Sequence, residues 1–468
     1  MAAAALVVYA VVLTAGGLAV WRRPSYAVYA FVVGLALHNA VMAALFALGV
    51  EGRPLTVIAA WKEVLLAVAL ARVARDALAL RRLPFRPSLV DVLALVFAAF
   101  VLVYALLPQS MLGGEADATT VLYALRHDLA CVAAYFLGRS IELPPLRRLV
   151  LATAAVVAVL GVVEAYTVPI DRWQDADVPA YFHEQLGFDH HGPRNLPENF
   201  VFNTGDENDL LRRAVSTFLS PLGTAYMLVV ALCLWAVRPR SGWPLAAITA
   251  VGLLFTFTRA ALLVLAGAFL VLGFVQRRWW PVAAAVATLA AAVVWTQVYP
   301  SIAPETTWSQ ADLRYQREQA KKLGVPPGET VALDEPSIRS HLRALRDGAE
   351  AVIEHPQGYG LGNAGATALR GHVRLKAGES TYTELGVETG VLGALAFIAW
   401  SALLLWSLIR ARVAGIAAAF AAVLALGVQT DVLGTPWLAF VVWLLAGAGH
   451  TAARRLSGAG DVQSERVA

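Results

Sequence analysis

Residues 379–409 read ESTYTELGVETGVLGALAFIAWSALLLWSLI, a short polar segment that runs directly into a long apolar one. The apolar part, residues 386–409, can cross a bilayer as a helix, because about 20 apolar residues span the hydrocarbon core. Three carboxylates lie beside or just inside this run: Glu379, Glu384 and Glu388. Carboxylates at such a depth are costly and usually functional. The stretch therefore predicts a membrane helix with polar chemistry at its mouth.

The composition extends this prediction to the whole chain. The 468 residues are 59% hydrophobic and 15% charged, with a mean hydropathy of +0.63. The apolar stretches are continuous runs of Ala, Leu and Val without strand-like alternation, so helices are expected to satisfy the backbone in lipid. The runs lie at 2–21, 25–49, 55–71, 88–107, 119–138, 147–165, 214–236, 243–257, 260–276, 280–298, 386–409, 413–433 and 435–449. We predict an all-α, polytopic integral membrane protein with about 12–13 transmembrane helices.

Arginine clusters follow every odd-numbered run. They lie at 22, 23, 72, 75, 81, 82, 86, 139, 147, 148, 238, 240, 277, 278, 410, 412, 454 and 455. The positive-inside rule then places the N-terminus outside and the C-terminus in the cytoplasm. The net charge of +4 is explained by this topology and does not indicate a nucleic-acid partner.

The topology divides the chain into six parts. They are N-terminal transmembrane helices (1–165), an external loop (166–213), central transmembrane helices (214–298), a large external loop (299–385), C-terminal transmembrane helices (386–449) and a cytoplasmic tail (450–468). The first run lacks a basic region before it, so we interpret it as a membrane helix and not as a signal peptide. Loops as long as these two are usually functional or disordered, so extramembrane chemistry is expected there.

Several other kinds of site are disfavoured by the residues present. Cys131 and Cys233 lie inside apolar runs and indicate small core residues. The loop HEQLGFDHH, residues 183–191, carries three histidines, but their spacing matches no standard metal template. The glycines of HPQGYGLGNAG, residues 355–365, follow no strand and precede no Lys-Ser/Thr pair, which argues against a nucleotide-binding loop. We therefore expect no metal and no cofactor.

Three arginines near the outer face resist the topology explanation. Arg212 and Arg213 precede the seventh run, and Arg259 lies between two runs joined by almost no loop. In the functional interpretation, Arg213 and Arg259 converge on an anionic group, with phosphate favoured because guanidinium forks match its oxygens bidentately. In the alternative, each arginine snorkels to the surface or pairs with an acidic residue of the chain.

Further charges interrupt the apolar runs. Lys62 and Glu63 lie in the third run, and Arg126 and Asp128 in the fifth. These residues either line a functional site or form structural ion pairs between packed helices. His341, in the large external loop, is open to three interpretations: a base, a phosphate donor or a surface residue.

Three motifs together resemble one family. They are RAVSTFLSPLGTAYML (213–228), FTFTRAALL (255–263), and HPQGYGLGNAG (355–365) followed by ESTYTELGVETGVLG (379–393). In this order, on one face of the membrane, they are similar to the signature of the bacterial O-antigen ligase and O-antigen polymerase superfamily. The resemblance implies a GT-C-like, all-helical membrane fold whose large external loop is catalytic. It also implies action on undecaprenyl-diphosphate-linked glycans and no need for a metal.

The resemblance also assigns individual residues. Arg213 and Arg259 match the two family arginines that hold the donor diphosphate. Glu388, with Gly390 and Gly393, matches the Glu-x-Gly-x-x-Gly of the helix that closes the site. Ligases usually carry a His-Asn pair where this chain has Glu379 and Ser380, and the Glu-Ser-x-Tyr form is typical of polymerase-like members.

These observations predict a metal-independent glycosyltransferase. It would polymerise or ligate glycans from an undecaprenyl-diphosphate-linked donor onto a glycan or lipid-linked acceptor, on the external side of the bacterial inner membrane. Glu379 is the expected base and His341 the reserve base. The expected substrate-binding residues are Arg213, Arg259, Tyr382, Glu388, Arg212, Lys62 and Arg126. The alternatives are a lipid-linked glycan transporter or flippase, and an O-antigen ligase proper.

Overall fold

The described chain is built almost entirely of helices. The computed structural model describes residues 1–204, 210–322 and 336–465. The longer helices are α1 (Ala2–Arg22), α2 (Tyr26–Ala47), α3 (Gly52–Leu80), α4 (Leu89–Leu106), α5 (Ala118–Ser140), α6 (Arg147–Thr167), α7 (Pro221–Trp235), α8 (Trp243–Phe255), α9 (Arg259–Gln276), α10 (Trp280–Ile302), α11 (Gln310–Lys322), α12 (Pro336–Glu354), α13 (Gly365–Arg370), α14 (Thr381–Arg410), α15 (Ala414–Leu426) and α16 (Trp443–Glu465). A π-helical turn, Leu438–Val442, precedes α16.

Within the described residues, nine helices are long and apolar enough to cross a membrane. They are α1 to α6, α9, α10 and α14, while α7, α8 and α15 are apolar but shorter. Each of the thirteen apolar runs coincides with a helix. The prediction of an all-α, polytopic membrane protein is therefore confirmed.

The helices differ in how deeply they are packed. Helix α7 lies at the centre, since every residue from Gly223 to Cys233 is buried. Its start is specified locally: Ser220 caps the helix by accepting a hydrogen bond from the Gly223 amide at 3.2 Å, and Pro221 occupies the first turn. Helix α1 lies at the periphery, where Val20 is its single buried residue.

A small antiparallel sheet joins the two long loops. Its strands are β1 (Val201–Asn203), β2 (Leu210–Arg212) and β3 (Glu305–Thr306), in the order β1-β2-β3. Val201 lies opposite Arg212, and Leu210 lies opposite Thr306. The sequence analysis did not predict these strands. Their consequence is that Arg213, directly after β2, is held by a sheet as well as by the helix that follows it.

The glycine-rich loop 355–365 packs against a break in helix α14. Gly390 has φ of 69° inside this helix, so the helical hydrogen bonding is interrupted. The Val391 amide donates instead to the Pro356 carbonyl at 2.9 Å. A Cβ added to Gly358, where φ is 77°, would lie 2.5 Å from the Gly390 nitrogen. The glycines thus allow two backbones to approach closely, which is a packing role.

Candidate functional site

The first element of the site is an arginine pair, Arg213 and Arg259. Arg213 donates from Nε to the Thr256 carbonyl at 2.8 Å and from Nη2 to Thr258 Oγ1 at 2.9 Å. Both acceptors belong to the junction between α8 and α9, and Arg259 is the first residue of α9. The motif FTFTRAALL therefore supplies the two hydrogen-bond acceptors that hold Arg213 beside Arg259.

The two arginines also influence each other electrostatically. Burial lowers the pKa of Arg213 to about 10, and the charge of Arg259 contributes to the lowering. Arg213 still carries its charge at neutral pH. The Arg259 guanidinium lies 5.6 Å from the centroid of the Phe202 ring, an aromatic side chain of strand β1. Arg213 forms no ion pair with a carboxylate in the described part of the chain, so its charge is available to an anion.

Arg212 does not join this pair, although the sequence analysis grouped it with the substrate-binding residues. Its guanidinium forms an ion pair with Glu164 of helix α6, with 2.6 Å between Nη2 and Oε1. It also donates to the Val168 carbonyl. Because Arg212 lies in strand β2 and Arg213 follows it, their side chains point in different directions. The structure gives Arg212 a partner within the chain.

The second element is a cation cluster, formed by Lys62, Glu63, Arg126 and Arg370. Glu63 Oε1 lies 3.4 Å from Lys62 Nζ and 3.4 Å from Arg126 Nε, so one carboxylate forms ion pairs with two cations. Arg126 of helix α5 thus pairs with Glu63 of helix α3, as expected for a structural ion pair between packed helices, while Asp128 contacts His127.

Arg370 was missed by the sequence analysis. The Arg370 guanidinium lies 4.3 Å from the centroid of the Tyr123 ring. The Arg126 guanidinium lies 5.9 Å from the same centroid. Burial, and then the charge of Arg126, lower the pKa of Arg370. With three cations and one carboxylate, the cation cluster has an excess of positive charge. Such an excess suits a substrate anion.

The third element is a carboxyl cluster, formed by His127, Asp128, Glu384, Glu388 and Asp431. His127 Nδ1 lies 2.7 Å from Asp128 Oδ1, and Nε2 lies 2.8 Å from Asp431 Oδ2. His127 therefore links Asp128 of its own helix to Asp431, which follows helix α15.

Glu388 connects the carboxyl cluster to the glycine-rich loop. Its Oε1 accepts a hydrogen bond from the Gly362 amide at 2.8 Å and one from Thr367 Oγ1 at 3.1 Å. Asp128, whose Oδ2 is buried without a donor from the described chain, lines the same small cavity as Glu388. The described contacts of Glu388 are thus with the protein itself.

Glu384 faces a small cavity inside the carboxyl cluster. The cavity has a volume of about 10 Å³, room for about one water molecule, and Thr367 and Thr381 complete its wall. Glu384 is 6% exposed, and it faces this cavity together with Asp128, Glu388 and Asp431. A buried carboxyl group beside other carboxyl groups is costly, so this position is a candidate for proton chemistry.

The carboxyl cluster lies close to the arginine pair. Tyr226 lies close to Arg213 and also close to Thr430, the residue before Asp431. The Thr430 carbonyl also accepts from Thr381 Oγ1 at 3.1 Å. The segment after helix α15 therefore bridges the two elements.

Glu379, the expected base, lies two residues before helix α14. It is exposed, and its backbone has φ of 67°. The side chain of His341 lies outside the described part of the structure, so its role stays a prediction. Tyr382, one turn from Glu379, donates from its hydroxyl to the Leu424 carbonyl at 2.7 Å. That contact ties α14 to α15.

The histidine-rich loop forms local pairs. His183 lies 2.6 Å from Asp189, and His190 lies 3.1 Å from Glu198. Among the described residues, no group of three or more His, Cys, Asp or Glu side chains has an arrangement that suits a metal ion.

The residues that sequence analysis missed share one property: their partners are distant in the chain. Asp431 meets His127 across 304 positions. A signal for Asp431 did exist, because an acidic residue at the end of an apolar run is costly and usually functional. Arg370 gave no such signal, since it lies in a polar loop where charged residues are ordinary.

Comparison with known proteins supports the resemblance described above. Residues 244–398 match the family described as O-antigen ligase, and a search of curated proteins finds no match. The matched region, about a third of the chain, extends from helix α8 into helix α14 and includes Arg259, Glu379 and Glu388. The resemblance to the O-antigen ligase and polymerase superfamily is thereby confirmed. Together with the membrane helices, it indicates a glycosyl-transfer type of enzyme in polysaccharide biosynthesis.

Proposed function

We propose that this protein transfers glycans from an undecaprenyl-diphosphate-linked donor to an acceptor sugar hydroxyl, on the external side of the bacterial inner membrane and without a metal. The observation that carries the proposal is the arginine pair. Two hydrogen bonds fix Arg213 on the α8–α9 junction, where Arg259 begins helix α9. No carboxylate of the described chain forms an ion pair with Arg213. Two guanidinium groups at one site suit a diphosphate, whose oxygens accept bidentate hydrogen bonds.

The reaction is a displacement at the anomeric carbon. The acceptor oxygen attacks that carbon, and the bond to the bridging oxygen of the diphosphate breaks. The acceptor proton passes to the Glu379 carboxylate, and negative charge develops on the departing lipid diphosphate. Arg213 and Arg259 stabilise this charge, and fixed donors in a water-poor site are more effective than water. Direct displacement inverts the anomeric configuration.

The acceptor class follows from the segment before helix α14. Glu379 and Ser380 occupy the position where ligases usually carry His and Asn, so we favour a polymerase-like enzyme that extends a lipid-linked glycan. The cation cluster offers Lys62, Arg126 and Arg370 for the anionic groups of a second lipid-linked substrate. A ligase proper would instead deliver the glycan to a different acceptor, and product analysis separates the two.

The decisive test uses purified full-length protein in vesicles, lipid-linked donor and a measured glycan product. Arg259→Lys is expected to lose most activity, because lysine keeps the charge but loses the bidentate fork. Glu379→Gln should lower turnover by about 10²–10⁴-fold while donor binding is retained. The matched controls, Arg172→Lys and Glu184→Gln, alter exposed residues of the first external loop and should leave turnover unchanged.

Two outcomes would redirect the proposal. Near-normal turnover by Glu379→Gln would transfer the role of base to His341 or Glu384. Near-normal turnover by Arg259→Ala would overturn the proposal that the arginine pair binds the diphosphate, and it would favour a transporter. Activity should also persist in EDTA, and a loss restored by magnesium would contradict metal independence.

The external placement of the loops has its own test. Single cysteines replacing Asp175 and Arg314 should react with a membrane-impermeant reagent in intact cells. The native Cys131 and Cys233 are buried and should stay unlabelled. Protection of both new cysteines until lysis would place the loops in the cytoplasm.

A further inference from the structure

A second pocket lies at the opposite, arginine-bearing ends of the helices. It has a volume of about 620 Å³ and lies between the ends of α1, α3 and α5. Arg22, Arg23 and Arg82 line it, together with apolar side chains that include Leu80 and Leu83. No residue of the arginine pair or of the carboxyl cluster lines this pocket.

The charges of the pocket are not balanced within it. Two acidic residues also line the pocket, Asp76 and Glu142. However, Asp76 pairs with Arg72 at 2.9 Å, and Glu142 pairs with Arg455 at 3.1 Å. Both of these arginines lie outside the lining. The three arginines of the pocket have no ion pair in the described chain, so the pocket is positively charged.

The position of the pocket also matters. Helix α1 lies at the periphery, since 6% of its most apolar 18-residue window is buried inside the protein, so most of its surface is open to lipid. Leu80 and Leu83 are 61% and 59% exposed at the rim of the pocket. An occupant can therefore contact arginines with a polar group while its apolar part lies against leucines and helix flanks in the bilayer.

We propose that this pocket binds an anionic glycerophospholipid, with the headgroup phosphate on Arg22, Arg23 and Arg82 and the acyl chains against Leu80 and Leu83. Basic pockets between transmembrane helices on the cytoplasmic side bind such headgroups. A pocket of about 620 Å³ has room for one lipid headgroup. The bound lipid connects the peripheral helix α1 to the ends of α3 and α5. This inference is independent of the proposed glycan transfer.

The test is native mass spectrometry of the delipidated full-length protein with phosphatidylglycerol. Wild-type protein should retain the lipid, and phosphatidylcholine with the same acyl chains should bind at least about tenfold more weakly. The triple variant Arg22→Gln, Arg23→Gln, Arg82→Gln should lose phosphatidylglycerol binding by a similar factor. Its matched control, Arg240→Gln, Arg278→Gln, Arg410→Gln, removes three exposed arginines from the same side and should bind normally.

A second variant keeps every arginine. Ala77→Phe places a ring in the pocket wall and should also exclude the lipid. The proposal is overturned if both pocket variants bind like wild type, or if the control variant loses as much binding as the triple variant. Displacement of the lipid by equimolar glycerol 3-phosphate would indicate a soluble phosphate ligand and would equally overturn it.

Discussion

Arg139 and Arg213 lie near opposite ends of membrane helices, and both are largely withdrawn from solvent, but the chain surrounds them differently. Arg139 is 1% exposed and contacts Asp91 with two nitrogens, at 2.8 Å from Nε and 3.0 Å from Nη2. Arg213 donates to a backbone carbonyl and a threonine hydroxyl. One positive charge is cancelled inside the protein and the other is not.

The Arg139 site is complete. Thr451 and the Arg86 carbonyl accept its remaining hydrogen bonds, while Tyr135 and Ser88 donate to Asp91 at 2.7 Å each. The sequence analysis counted Arg139 among the cytoplasmic arginines that set topology, but it is a buried ion pair. The comparison teaches that a structural arginine in a membrane protein is told from a candidate substrate-binding arginine by its partner more than by its depth.

The largest effect is expected from breaking the complete site. Asp91→Ala leaves the Arg139 charge buried and unpaired, which should lower the free energy of unfolding by about 3–5 kcal/mol. Thermal unfolding in detergent measures the loss, and turnover per folded molecule should stay normal. The double variant Asp91→Leu, Arg139→Met should recover part of the stability. A double variant less stable than Asp91→Ala would contradict the account of a cancelled charge.

A somewhat smaller effect is expected at Arg213, where the loss appears in the activation free energy of the reaction and not in stability. Arg213→Lys keeps a positive charge but cannot bond both Thr256 and Thr258 as the fork does. Turnover should fall by about 10²–10³-fold, as for loss of one transition-state donor. The melting temperature should change little, because no carboxylate loses its partner. Normal turnover with a large loss of stability would make Arg213 structural, like Arg139.

A smaller effect is expected at Glu388, where the protein itself satisfies the carboxyl group. Glu388→Gln keeps an oxygen for the Gly362 amide and for the Thr367 hydroxyl. The free energy of unfolding should fall by about 1 kcal/mol or less. Glu388→Ala removes both hydrogen bonds and should cost more. Equal losses for the two variants would show that Glu388 acts by packing and not by hydrogen bonding.

The smallest effect concerns an ion pair in water. Arg346 and Glu350 lie one turn apart on helix α12 with 2.7 Å between Nε and Oε1, and their side chains are 78% and 52% exposed. Because solvent screens such pairs, Glu350→Gln should leave both the melting temperature and turnover unchanged. A clear change in turnover would indicate that this exposed face of α12 contacts substrate.

Part of the site could be predicted from local sequence. Arg259 between two apolar runs, and Arg213 before a capped helix, are unusual enough to identify without a structure. The grouping of charges could not be predicted. Arg126, His127 and Asp128 are consecutive, and since each helical residue turns by about 100°, they face different neighbours. Arg126 contacts Glu63, whereas His127 joins Asp128 and Asp431.

The sequence by itself determined the membrane helices, because a run of about 20 apolar residues has one way to satisfy its backbone in lipid. It also determined where costly charges interrupt those runs. The tertiary structure alone decided which charges cancel: Asp91 meets Arg139 across 48 positions, and Asp431 meets His127 across 304. The physical reason is that helix formation is local, whereas the partner of a buried charge depends on how the helices pack.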